Sequence, residues 1–221
     1  MTMPSALTTL ERQLGSLLGR IALPAGPHPE RAAAHPPCGE SLKPGIPAAV
    51  LVPLVVAEHG VRVVLTRRNA NLKNHPGQIS FPGGRMEEDD ADVACTALRE
   101  THEEIGVDPA HVRVIGALAT CHTGTGYSVV PVMGFIPPAY PFTPDVREVA
   151  AVFDVPLQFL LDPANHKPHA YVIEGRRRHY YEMLYRGHRI WGATANMIVS
   201  LYQTLERTGV HMDINALLAQ T

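Results

Sequence analysis

Three glutamates at helical spacing are the residues of this chain best suited to do chemistry. Glu100, Glu103 and Glu104 stand at positions i, i+3 and i+4, so on a helix their carboxylates share one face within about two turns. Like charges so close together destabilise a bare helix, but they form an oxygen-ligand set that suits a hard divalent cation such as Mg²⁺ or Mn²⁺. A solvated acidic helix face is the competing interpretation.

The residues before this helix favour the metal interpretation. Gly83 and Gly84 allow a sharp turn and a close approach of the backbone to a ligand. An acidic loop at residues 87–90 lies beside them in sequence, and Arg99 can hold that loop through charge-assisted hydrogen bonds. Together these residues predict a cation site made of a glycine turn, an acidic loop and a helix.

The helix that carries the glutamates has recognisable ends. Asp92 is a typical N-cap residue, and Gly106 is the glycine expected where a helix stops. Apolar and small side chains recur between them at helical spacing and predict a face turned toward a core: Ala94, Ala97, Leu98, Thr101 and Ile105.

The rest of the chain alternates strand and helix signals. β-branched runs at residues 48–57 and 61–67 predict a hairpin, and a short strand is expected at residues 79–81. Strands are also predicted at 112–119, 128–136, 149–155, 169–174 and 179–185, with helices after Pro156 and over 192–205. We expect Trp191 to pack with the last helix against the sheet. This mixture predicts an α/β layered domain.

The N-terminal region differs in character from the remainder of the chain. Residues 5–20 carry a leucine stripe at helical spacing, and seven prolines between residues 24 and 47 predict an irregular arm. The expected organisation is a helix and Pro-rich arm at 1–47, a catalytic domain at 48–207 and a tail at 208–221. Because the leucine stripe offers a docking face, we consider a homodimer.

Composition excludes several classes of protein. The 221 residues include 19 basic and 21 acidic side chains, too balanced for a surface that coats nucleic acid. The longest apolar stretch is about 11 residues, whereas a membrane-spanning helix needs roughly 20. Three scattered cysteines argue against a disulfide framework or zinc ribbon and for a reducing compartment, so the cytoplasm is expected.

The glutamate helix resembles the second half of the Nudix box, R-E-U-x-E-E-x-G-U with U an aliphatic residue. Residues 99–107 read RETHEEIGV and depart only at Thr101, which takes an aliphatic position. In the first half, the sixth residue after Gly84 is Asp90 instead of glutamate, and one extra residue separates it from Arg99. The role of Asp90 is therefore left open. The resemblance implies a Nudix-type α/β/α sandwich with a mixed β-sheet, here preceded by the N-terminal helix and Pro-rich arm.

A second motif resembles the signature of the coenzyme A pyrophosphatase branch, LLTxR(S/A)…L(R/K)xHxGQ(V/I)(A/S)FPGG. The chain matches it from Leu65 to Gly84, with Asn69 as a small departure. This resemblance implies Mg²⁺-dependent hydrolysis of the diphosphate bond of coenzyme A or acyl-coenzyme A, giving 3′,5′-ADP and 4′-phosphopantetheine or its acyl form. The alternatives are another nucleoside diphosphate derivative such as ADP-ribose, or a nucleotide-sensing domain, although sensing domains usually lose the box glutamates.

The Nudix resemblance also implies roles at the metal site. Glu100, Glu103 and Glu104 would hold Mg²⁺ or Mn²⁺, with the carbonyl of Gly84 or of its neighbour Gly83 as a further ligand. Two candidates for the general base remain open. Glu103 is one, although a metal-bound glutamate accepts a proton poorly, and Glu148, just before a predicted strand, is the other.

The remaining site residues concern orientation and substrate. Arg99 is expected to act as a partner that orients a glutamate. Positive charge for the phosphates of coenzyme A would come from Arg67, Arg68, Lys73 and His75. Phe81 is a candidate for stacking on the adenine, with core packing as the favoured alternative.

Overall fold

The computed structural model describes residues 5–20, 45–58, 60–173 and 176–210, together with Ile214 and Leu217. Its helices are α1 (Ser5–Gly19), α2 (Val93–Ile105), α3 (Leu157–Leu161) and α4 (Ala193–Thr208). Its strands are β1 (Ile46–Ala57), β2 (Gly60–Arg68), β3 (Ile79–Ser80), β4 (Gly83–Arg85), β5 (Arg113–Ala117), β6 (Cys121–His122), β7 (Tyr127–Phe135), β8 (Val149–Pro156), β9 (Lys167–Ile173), β10 (Arg176–Tyr185) and β11 (His188–Trp191).

Strand β1 is the centre of an eight-stranded mixed sheet. It runs parallel to β7 on one side and antiparallel to β2 and β4 on the other. Strands β3 and β8 pair with β2, whereas β5 and β6 pair with β7. In this register Gly83 lies opposite Val50 and Gly84 opposite Ala49, so the glycine turn is inserted beside the central strand. Strands β9, β10 and β11 form a second, antiparallel sheet.

Side chains of β1 alternate between two cores, as the period of a strand requires. Val52 and Leu54 pack in the core that includes residues of α1, α3 and α4. Ala49 and Leu51 pack in the opposite core, under α2. The predicted α/β/α sandwich with a mixed β-sheet is confirmed.

Helix α1 docks on the sheet of its own chain. Leu10, Leu14 and Leu18 are buried in the main core, and Glu11 forms an ion pair of 2.8 Å with Arg113 beside them. The leucine stripe that suggested a homodimer is therefore covered within the chain. Most of the predicted Pro-rich arm, from residue 21 to residue 44, lies outside the described residues.

The structure corrects several sequence-based predictions. Strands β4, β6 and β11 were missed because two to four residues are too short to show alternation. Trp191 lies at the end of β11 and not in the last helix. Cys95 is a free, exposed thiol but Cys121 is disulfide-bonded, a bond that the cysteine spacing did not predict. Within the described ranges, no helix combines the length and apolarity needed to cross a membrane.

Candidate active site

Helix α2 is fixed at both ends as its sequence predicts. The Asp92 carboxylate accepts a hydrogen bond of 2.8 Å from the backbone N–H of Cys95, and Gly106 ends the helix with a φ of 72°. One face, which includes Ala97 and Ile105, is buried against the sheet. Because this face cannot rotate, the direction in which α2 presents its glutamates is set by these buried contacts.

Arg99 connects the acidic loop to the helix. Its Nε and Nη2 donate to the two carboxylate oxygens of Asp90, at 3.0 and 2.9 Å, and Nη2 also donates to the carbonyl of Arg85 at 3.0 Å. Its Nη1 donates to Glu100 at 3.0 Å and to Glu103 at 3.4 Å. One guanidinium therefore joins β4, the loop and two of the three glutamates.

Asp90 is the anchor of this arrangement. Only 6% of its side chain is exposed, and it also accepts hydrogen bonds of 2.9 Å from the backbone N–H of Glu87 and the hydroxyl of Thr96. The hydrogen bonds from Arg99 are the main cause that lowers the pKa of Asp90 to about 2. The residue whose role the motif left open is thus the counter-charge of Arg99.

Glu104 is buried, with 4% of its side chain exposed. Burial raises the pKa of this carboxyl to about 8, and the charge of Arg68, with Nη1 3.7 Å from Oε1, only partly opposes that rise. The backbone N–H of Gly83 also hydrogen-bonds the carboxylate. Among the described residues, Oε2 has no hydrogen-bond partner. A buried anion with an unpaired oxygen is poised for a cation.

Glu100 lies against Gly84. A Cβ on Gly84 would sit 2.5 Å from the Cδ of Glu100, so only glycine allows the carboxylate to approach the backbone this closely. Burial raises the pKa of Glu100 although Arg99 opposes the shift, and the charges of Glu103 and Glu148 add to it. By contrast, 57% of the Glu103 side chain is exposed.

The carboxylates fit a hard divalent cation. Within the described ranges, no three His, Cys, Asp or Glu side chains already converge on one point, and Arg99 is hydrogen-bonded to Glu100 and Glu103. The mutual repulsion of Glu100, Glu104 and Glu148 and the unpaired oxygen of Glu104 are both relieved when a cation binds. Oxygen-only donors of this charge suit Mg²⁺ or Mn²⁺.

Glu148 reaches this site from a loop. It is exposed just before β8, and its charge acts on both Glu100 and Glu104. Its carbonyl accepts a hydrogen bond of 2.7 Å from the N–H of Asn69, whose side chain holds the Val146 carbonyl at 2.7 Å. The loop is therefore tied to the end of β2, beside Arg68.

A cleft of about 530 Å³ meets the carboxylate site at the glycine turn. Its lining includes the glycine turn and Arg68, together with the aromatic side chains of Tyr127 and Trp191. Since Arg68 also approaches Glu104, and Gly84 lies against Glu100, a molecule in the cleft contacts the backbone and the guanidinium that border the carboxylates. The arrangement can place a phosphate group next to a cation.

The predicted substrate residues are distributed unevenly. Arg68, His75 and Phe81 line the cleft, whereas Arg67 and Lys73 are exposed and outside its lining. His75 has a φ of 56° and shares a hydrogen bond of 3.1 Å with Gln78. Phe81 is only 3% exposed and belongs to the main core, so packing is its visible role.

Sequence reasoning missed two aromatic residues of the cleft and one ion pair. Tyr127 and Trp191 line the cleft from β7 and β11, and the sequence analysis assigned neither of them to the site. Arg68 was assigned to substrate phosphates alone, but it also faces Glu104.

The two glycines of the turn provide a matched pair of variants. Gly84→Ala displaces the Glu100 carboxylate. We therefore expect a folded protein that is at least about tenfold less active and needs more Mg²⁺ for half-maximal activity. Gly83→Ala would press on the Ala49 carbonyl at a φ of 151°, so we expect about 1–3 kcal/mol of lost stability. Mg²⁺ titrations of activity and thermal unfolding separate the two effects. If Gly84→Ala needed the same Mg²⁺ concentration as wild type, the contact between Gly84 and Glu100 would not be part of the metal site.

Comparisons with known proteins agree on one family. The family model described as "NUDIX domain" matches residues 45–174. Proteins called "Uncharacterized Nudix hydrolase NudL" from Enterobacter sp. (strain 638) and Escherichia coli O1:K1 are each 39% identical over 154 residues, covering 70% of this chain and 80% of the relative. The solved Nudix hydrolase RenU from M. smegmatis is 17% identical with a TM-score of 0.49, covering 78% of this chain and 91% of that one. The matched region contains α2 and strands β2 to β4.

Proposed function

The chain belongs to the Nudix domain family and is a Nudix hydrolase of a nucleoside diphosphate derivative, and from this premise we propose that its substrate is coenzyme A or an acyl derivative. The bond cleaved is the phosphoric anhydride between two charged phosphates, and the products are 3′,5′-ADP and 4′-phosphopantetheine or its acyl form. Hydrolysis of such a bond requires charge neutralisation, an oriented water molecule and a base.

One observation carries the substrate proposal. The residues that resemble the coenzyme A signature, from Leu65 to Gly84, form the end of β2, its following loop, β3 and the start of β4. Several residues of this stretch line the cleft beside the carboxylates, among them Arg68, His75 and Gly84. This position supports the proposal, because a diphosphate bound in the cleft would lie between the signature residues and the acidic helix.

The metal site is proposed from the same contacts. Glu100, Glu103 and Glu104, with the carbonyl of Gly84, would hold Mg²⁺ or Mn²⁺. When bound, the ion neutralises the diphosphate and lowers the pKa of the attacking water. The part of Arg99 is to fix Glu100 and Glu103 through its hydrogen bonds, while Asp90 keeps the guanidinium in place.

Substrate charge is met by the end of β2 and the loop after it. Arg68 borders the cleft directly, and His75 lies in the cleft wall. Arg67 and Lys73 add exposed positive charge on the same strand and loop. Their part is to attract and orient the phosphates, including the 3′-phosphate that distinguishes coenzyme A from ADP-ribose.

Glu148 is proposed as the general base. It is exposed to water and carries no hydrogen bond from Arg99, whereas Glu103 is bonded to that guanidinium. We expect Glu148→Gln to lower kcat by about 10²–10⁴-fold at unchanged KM, because a positioned base contributes on that scale. The measurement is steady-state hydrolysis under saturating Mg²⁺.

Two further variants test that assignment. Glu58→Gln changes an exposed glutamate of the turn between β1 and β2 and should leave kcat within about twofold of wild type, because a surface substitution away from the site has little effect. Glu103→Gln should raise the Mg²⁺ concentration needed for half-maximal activity, and by a larger factor than it lowers kcat at saturating Mg²⁺. A kcat loss confined to Glu103→Gln, with Glu148→Gln active, would transfer the role of base to Glu103.

The substrate itself is tested by turnover. Coenzyme A, ADP-ribose and NADH are compared under Mg²⁺, with mass identification of the products formed in ¹⁸O-water. We expect coenzyme A to have the highest kcat/KM and one ¹⁸O atom to enter a single product. A clear preference for ADP-ribose would overturn the coenzyme A proposal and leave the Nudix hydrolase assignment intact.

A further inference from the structure

The second sheet presents an aromatic face that the proposed reaction does not yet use. Across β9, β10 and β11, Tyr180 lies opposite His169, and Glu182 lies opposite Trp191. Because residues two apart on a strand share a face, these side chains stand together on one side of the sheet. His169 and Tyr180 stack at 5.0 Å, and Tyr180 meets Trp191 edge-on at 5.8 Å.

Trp191 is held firmly on this face. The guanidinium of Arg189 lies 4.9 Å from the centre of its ring and is itself fixed by a hydrogen bond of 2.7 Å to Glu182. Trp191 lines the cleft whereas Arg189 does not. Arg189 therefore stacks on the indole without itself entering the lining of the cleft.

The position of Trp191 relative to the carboxylate site is also fixed. Its strand leads directly into α4, where the buried hydroxyl of Thr194 donates a hydrogen bond of 3.0 Å to the carbonyl of Ile79. Ile79 belongs to β3, shortly before the Pro82–Gly84 turn. The same cleft is thus lined by Trp191 and by the glycine turn that lies beside the carboxylates.

We propose that Trp191 is the platform on which the nucleobase of the substrate stacks. This deepens the proposed function and rests on it. A flat, partly exposed indole gains most from another flat π-system, and every nucleobase offers one. The pantetheine arm is a flexible chain of saturated carbons and amides, which gains little from such a surface. Thr123, Thr125 and Tyr127 line the same cleft and supply hydroxyl groups for the edges of a base.

Because Trp191 is the single tryptophan of the chain, its fluorescence reports on this site alone. Titration of the full chain in EDTA with 3′,5′-ADP should quench the emission with saturation. Inorganic pyrophosphate and 4′-phosphopantetheine, which lack a base, should leave it unchanged. An unchanged emission with 3′,5′-ADP, or equal quenching by pyrophosphate, would overturn the assignment.

Two variants test the same residue by turnover. Trp191→Leu removes the platform, so we expect the KM for coenzyme A to rise about tenfold with kcat within about twofold. Trp191→Phe keeps a smaller platform and should raise KM by less than about threefold. Tyr140→Leu, an aromatic-to-leucine change at a residue outside the cleft lining, is the matched control and should leave KM unchanged. An unchanged KM in Trp191→Leu would overturn the proposal.

The two proposals fail separately. If the protein hydrolyses coenzyme A but the fluorescence of Trp191 does not respond to 3′,5′-ADP, the stacking role of Trp191 is overturned and the substrate proposal is retained. If 3′,5′-ADP quenches the fluorescence but coenzyme A is not hydrolysed, the substrate proposal is overturned and the stacking role of Trp191 is retained. If Trp191→Leu does not fold by circular dichroism, the fluorescence titration and the Trp191→Phe variant decide.

Discussion

Replacing Glu104 with glutamine should lower turnover at least about 100-fold, the scale lost when one preorganised electrostatic group is removed. Glu104 is a buried carboxylate that Arg68 approaches at Oε1, whereas its Oε2 has no hydrogen-bond partner among the described residues. Glutamine keeps the shape and removes the charge that a cation needs. Steady-state hydrolysis over a range of Mg²⁺ concentrations measures the loss, and an unchanged rate would remove Glu104 from the proposed metal site.

The same substitution should stabilise the metal-free protein at high pH. Burial raises the pKa of Glu104 from 4.5 to about 8, so the folded state holds this proton more tightly than the unfolded state does. The stabilisation is fully present below pH 4.5 and is lost as the pH rises through about 8. We therefore expect the Tm of wild type in EDTA to fall between those values more steeply than the Tm of Glu104→Gln.

The control for this pH effect is Glu103→Gln on the same helix. Glu103 is more than half exposed, so Glu103→Gln should change the slope of Tm against pH much less than Glu104→Gln does. Added Mg²⁺ at about pH 8 should raise the Tm of wild type more than that of Glu104→Gln, because a cation pairs the buried charge. Parallel pH slopes for wild type and Glu104→Gln would contradict the burial argument.

Replacing Arg99 with alanine should have the second largest effect, on stability as well as activity. The change leaves Asp90 nearly buried without its counter-charge, which costs about 2–4 kcal/mol of unfolding free energy, below the usual upper range because Arg99 is itself a quarter exposed. Glu100 and Glu103 lose their common donor, so activity should fall at least about tenfold. Urea unfolding and steady-state hydrolysis measure the two losses.

The pH dependence gives this prediction a second readout. The pKa of Asp90 is lowered from 3.8 to about 2 in the folded state, so the stabilisation is present above pH 3.8 and disappears as the pH falls toward 2. The difference between wild type and Arg99→Ala should therefore shrink below about pH 4, as long as both remain folded. Arg147→Ala breaks the ion pair of the exposed Arg147 with Asp145 and should change stability by less than about 1 kcal/mol. An equal loss of stability in Arg99→Ala and Arg147→Ala would contradict the prediction that Arg99 stabilises the fold through Asp90.

Much of the fold was predictable because its signals are local. The caps of α2 and the hairpin of β1 and β2 depend on residues a few positions apart, and both are confirmed. Strand β11 was not predictable, because four residues show no clear period and its pairing with β10 decides its conformation. From the sequence, Trp191 was expected to pack against the sheet, and its place in the cleft wall depends on this pairing.

The candidate site was likewise predictable from the sequence only in part. Residue spacing alone identified the carboxylates of the proposed ligand set, since the periodicity of a helix brings Glu100, Glu103 and Glu104 to one face. Folding in three dimensions established which opposite charges meet: Asp90 with Arg99 and Arg68 with Glu104. It also established that Glu104 is buried and Glu103 is not. The reason is physical, since these contacts depend on the register of β4 and β2 in the sheet and on the depth of packing, neither of which is encoded in the separation of residues along the chain.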